Sequence, residues 1–78
     1  MPEQRIDAGA THVFPAGLLH DRLDLQNRHG VSGTAIYQID NRPAVQINFN
    51  NDDHTINNIN GQELTVTNNL PNSLYCVY

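Results

Sequence analysis

The chain contains no lysine and no tryptophan, one cysteine and no long apolar run. Without lysine, its only Lys/Arg cations are Arg5, Arg22, Arg28 and Arg42, set against eight acidic residues for a net charge of −4. A nucleic-acid backbone is held by clustered Lys and Arg, so no nucleic-acid partner is expected. All four arginines precede residue 43, which leaves Asp52, Asp53 and Glu63 without a nearby cation in sequence. Cys76 alone cannot form an intrachain disulfide. In the apolar run "LYCVY" it reads as a buried free thiol, suited to a reducing compartment. No stretch approaches the roughly 18 apolar residues of a membrane helix. The start "MPEQRIDAGATH" also lacks the basic and apolar regions of a signal peptide. The expected setting is the cytoplasm or a virion, with no membrane partner and no export through a signal peptide.

What is plentiful is asparagine, with ten between residues 41 and 72. Asparagine favours turns and tolerates positive φ, because its short amide bonds to nearby backbone. This opposes helix and suits short strands joined by tight turns. "TAIYQID" and "AVQINFN" both alternate and predict a hairpin around "NRP". Pairing 39 with 44 puts Ile36, Val45, Ile47 and Phe49 on the core face, and Ala35, Tyr37, Ile39, Gln46 and Asn48 on the other. Asn60-Gly61 predicts a second hairpin with a type I′ turn. Pairing 59 with 62 there turns Ile59, Leu64 and Val66 inward and Ile56 outward. "SLYCVY" predicts a paired last strand, and Leu23 and Leu25 favour strand over helix at 22–26. Residues 1–10, with Ile6 as their one anchor, read as an extended arm, and 11–78 as a single small domain. The expected fold is all-β, a small antiparallel sandwich or barrel of about five or six strands.

Chemistry finds little support. The acidic stretch "NNDDH" at 50–54 lacks the alternating ligands, glycine and distal glutamate of a calcium loop, and reads as a polar turn. "NDDHTI" and "NNLPNS" partly resemble the calcium motifs of βγ-crystallin domains. They begin at residues 51 and 68, closer than the half-domain separation of that fold, so the resemblance implies no calcium site. His12, His20, His29 and His54 show no zinc-ligand spacing. Ser32 and Ser73 lie in no nucleophile elbow, and Cys76 has no basic neighbour to activate it. No catalytic, cofactor or metal residue is assigned, and an enzyme is not expected.

The remaining reading is a non-enzymatic protein–protein interaction or assembly module, self-associating or bound to another protein. A phage virion decoration or other structural protein is one such role. A domain this small gains stability by burying apolar residues on another chain. The expected interface is Tyr37 and Ile39, rimmed by Gln46 and Asn48, with Ile56 nearby. The alternatives are a lectin-like glycan-binding domain, suited to the asparagines but short of aromatic platforms, and a small inhibitor of a host protein. Calcium or zinc is expected to leave the melting temperature unchanged within about a degree. A site saturated a hundredfold above its Kd would add about 2.7 kcal/mol, so an EDTA-reversible rise of several degrees would overturn the loop reading.

Overall fold

The computed structural model describes residues 2–78 and contains eight strands and no helix among them. They are β1 (Glu3–Ile6), β2 (Thr11–Phe14), β3 (Leu23–Gln26), β4 (Ser32–Ile39), β5 (Val45–Asn50), β6 (His54–Ile56), β7 (Leu64–Asn68) and β8 (Leu74–Val77). Two four-stranded sheets form, in the orders β1-β8-β3-β6 and β2-β7-β4-β5, and every pairing is antiparallel. The first strand pairs with the last, the second with the seventh, the third with the sixth and the fourth with the fifth. That nesting is one long antiparallel ribbon wound up, the strand order of a jelly roll.

Alternation builds the core. Ile6, Leu23, Leu25, Ile56, Leu74 and Cys76 from the first sheet meet Phe14, Ala35, Ile39, Ile47, Phe49, Leu64 and Val66 from the second. Burial raises the Cys76 thiol pKa to about 12, so it stays protonated and inert. Asn68 is fully buried, yet every polar atom is engaged. Its Nδ2 donates to the carbonyls of Ile6 and Asn72 at 2.9 Å each, and its Oδ1 accepts from Leu70 N. One amide thus ties the end of β1 to the second sheet. Gly33 lies opposite Phe49, and a Cβ there would come within 2.8 Å of Leu70 Cδ2, so glycine lets Leu70 close over this end of the core.

Within the extended arm expected at 1–10, of which Met1 lies outside the described residues, residues 3–6 form edge strand β1, paired with β8. Three expectations are corrected. The strand count is eight rather than five or six. The first hairpin forms one residue out of the expected register, with Tyr37 opposite Val45 and Ala35 opposite Ile47. A one-residue slip exchanges the faces of one strand. Here β4 turns over, because β7 on its other side pairs Leu64 with Ile39 and Val66 with Tyr37. Ile39 is therefore buried and Tyr37 half-buried against the core, while Ile36 moves outside. Finally, the Asn60-Gly61 turn exists without its hairpin. Both residues have positive φ, 55° and 69°, and Gln62 N bonds to Ile59 O at 3.0 Å. The flanking strands diverge, β6 to the first sheet and β7 to the second. Ile56 is consequently buried opposite Leu23, not exposed.

Phe49, 3 % exposed, packs edge-on against His54 with ring centroids 4.7 Å apart. Phe49→Ala is expected to cost about 3–5 kcal/mol, measured by urea denaturation. In so small a domain that approaches the total stability, and a loss below about 1 kcal/mol would contradict the packing.

Candidate binding cleft

β5 and β6 are edge strands of different sheets, and only residues 51–53 join them, so both lie on one flank. The acidic loop is the corner between the sheets. Asp53 Oδ1 accepts from Asn27 N at 2.8 Å, and the Asn27 side chain closes its own loop through Val31. Asp52 Oδ1 accepts from Asn50 N at 2.8 Å, and His54 Nε2 donates to Asn48 O at 3.0 Å. These acids and the histidine satisfy backbone groups that would otherwise be left over where a strand ends. Among the described residues, no three His, Cys, Asp or Glu side chains converge as a metal-holding group.

Away from this corner the flank opens into a cleft of about 370 Å³, lined by Tyr37, Ile39, Arg42, Pro43, Val45, Asn57 and Asn58. Its apolar side comes from the inner face of β4–β5, where Val45 remains 43 % exposed. Its polar side comes from the segment after β6. Arg42 holds the two sides together. Its guanidinium donates to Asn58 O at 3.0 Å and to Gln62 Oε1 at 2.7 Å, and Gln38 Nε2 donates to Arg42 O. Asp40, at φ 49°, turns the chain here and bonds through its N–H to Glu63 O at 2.8 Å.

The residues expected to share one interface face are divided by the register of the hairpin. Tyr37 and Ile39 line the cleft from the inner face, Gln46 and Asn48 turn to the outer face beside Ile36 and Thr34, and Ile56 lies in the core, outside the cleft. Sequence reading missed Arg42, Pro43, Asn57 and Asn58. The signal for Arg42 was present, as a lone cation in the hairpin turn, but its partners are 16 and 20 residues away.

The outer faces of the two sheets also differ. Glu3, Arg5, Arg22, Asp24 and Arg28 crowd the first sheet, with Arg28–Glu3 at 2.9 Å, Arg22–Asp24 at 3.1 Å and Arg28 4.2 Å above the Tyr75 ring. The hydrogen bond from Arg22, then that from Thr55, holds the Asp24 carboxyl below its ordinary pKa. The second sheet turns Thr11, Val13, Thr34, Ile36, Gln38, Gln46, Thr65 and Thr67 outward, without a charge. The chain matches no family model, no curated protein and no solved structure.

Arg42→Ala is expected to leave the fold intact and cost about 1 kcal/mol, since its partners are exposed. Amide hydrogen exchange at Ile59–Gln62 should rise while that of β8 is unchanged. Equal effects in both regions would show that Arg42 does not act as a local brace.

Proposed function

We propose that the protein is a non-enzymatic protein-interaction module, a small β-sandwich that engages a partner through the flank cleft. The observation that supports this is the cleft's makeup. An apolar floor of Tyr37, Ile39, Pro43 and Val45 is edged by an arginine and two asparagine side chains. Binding hot spots have this form, an apolar or aromatic pocket with a polar rim that completes hydrogen bonds. The exposed apolar area at Val45 is what a partner side chain covers. Self-association, attachment to a larger assembly such as a virion, and inhibition of a host protein all use such a site. Jelly rolls serve capsid and lectin domains alike, so the strand order selects none of these.

A second reading is saccharide binding, favoured by a cleft that Tyr37 lines together with Asn57 and Asn58. Two variants separate the readings. Val45→Asp places a charge in the cleft, and Thr11→Asp places one on β2 at the opposite edge of the sheet. In affinity capture from native source extract, followed by mass spectrometry, one protein is expected to be retained by wild type and Thr11→Asp. Val45→Asp is expected to lose it by tenfold or more. Equal capture by all three folded proteins would place the binding elsewhere. A glycan-array signal abolished by Val45→Asp would favour the saccharide reading instead.

A further inference from the structure

We propose that the partner binds by strand addition, as an extended peptide segment that pairs with the open edge of β5 at Gln46 and Asn48 and seats one large apolar side chain in the cleft. This rests on the protein-interaction reading above and specifies the form of the partner. The four edge strands are unequal. β1 and β2 have four residues each and β6 three, whereas β5 runs for six. Natural edges are blunted by shortness, Pro, Lys or other charge. "VQINFN" has none of these.

Backbone direction shows which part of the edge is open. In an antiparallel ladder, alternate residues point their N–H and C=O groups toward the same neighbour. Asn51 N bonds to Val31 O across from β4, which assigns the odd-numbered residues of β5 to β4 and turns the even-numbered ones away. Two of those outward groups are occupied, Asn50 N by Asp52 and Asn48 O by His54. The acidic loop therefore closes the far end of the edge. Among the described residues, the hydrogen bonds leave the C=O of Asn50 uncapped and, nearer the cleft, the N–H and C=O of Gln46 and the N–H of Asn48. These open groups adjoin Val45, where the cleft begins. Strand addition uses such a pair of features, backbone pairing for affinity and a side-chain pocket for selectivity.

Charge and size specify the occupant. Asp40 lies in the turn that leads into β5 and Asp52 in the loop that follows it, while Arg42 is committed to Asn58 and Gln62. A peptide with basic residues flanking its apolar centre complements this arrangement. Two open residues and one cleft offer far less than the roughly 800 Å² per partner of a stable globular pair. A single strand fits better than a second copy of the chain.

The test is a titration of the ¹⁵N-labelled protein, followed by amide shifts, with an amidated decapeptide of alternating threonine and valine, a central phenylalanine and arginine at both ends. A second peptide of the same sequence is N-methylated on the alternate amides that would face β5. Strand addition predicts shifts and slowed exchange at Gln46 and Asn48, and about tenfold or greater weakening by methylation, as expected for one or two lost hydrogen bonds. Equal binding of both peptides, with shifts confined to Tyr37 and Asn57, would overturn strand addition and leave the cleft as a protein site. No shift at edge or cleft up to millimolar peptide would overturn both readings. A concentration-dependent dimer in sedimentation with Gln46 protected would assign the edge to a second copy.

Discussion

The rest of the structure depends on the pairing of β8 with strands on both sides. The last strand of the chain lies inside the first sheet, bonded to β1 at residues 3–6 and to β3 at residues 24–26. Its Leu74 and Cys76 are completely buried, and Tyr78 adds an edge-on contact with Phe14 of the other sheet. Until this strand docks, β1 has no partner and β3 has only three-residue β6. Pairing Glu3 with Val77 also closes nearly the whole chain as a loop. Such non-local closure costs entropy before contacts repay it.

Because the ribbon is wound rather than meandering, its inner faces are fixed and its outer faces are free to differ. The first sheet carries the ion pairs and the Arg28–Tyr75 stack, and the second an uncharged plane of threonines and amides. Individual surface ion pairs contribute little to stability. Their effect is to concentrate charge on one side of the molecule.

The acidic turn at 50–54 illustrates how a small domain uses polar residues. Asp53 secures the Asn27 loop, while Asp52 and His54 cover backbone groups at the end of β5. The same residues that could suggest a ligand site in sequence therefore act as local edge protection. Protection stops short of Gln46, where the strand runs beside the cleft.

Local alternation and turn chemistry were legible in the sequence. Strands at Leu23–Gln26, β4, β5 and Leu74–Val77 follow from period-two patterns, and the Asn60-Gly61 turn follows from the tolerance of both residues for positive φ. Buried Leu64, Val66 and Cys76 were legible from the same alternation, whereas Ile59 is buried without the hairpin that was expected to turn it inward. Which strands pair was not legible, because alternation gives each strand two faces without naming its neighbour. Thus β7 decided which way Tyr37 and Ile39 face, and the separation of β6 from β7 buried Ile56. The cleft likewise exists only in three dimensions, since Arg42 reaches across to Asn58 and Gln62 only after the two sheets have closed. Sequence determined the strands and turns through local backbone preference. Tertiary structure decided register, faces and site, because those depend on partners distant in the chain.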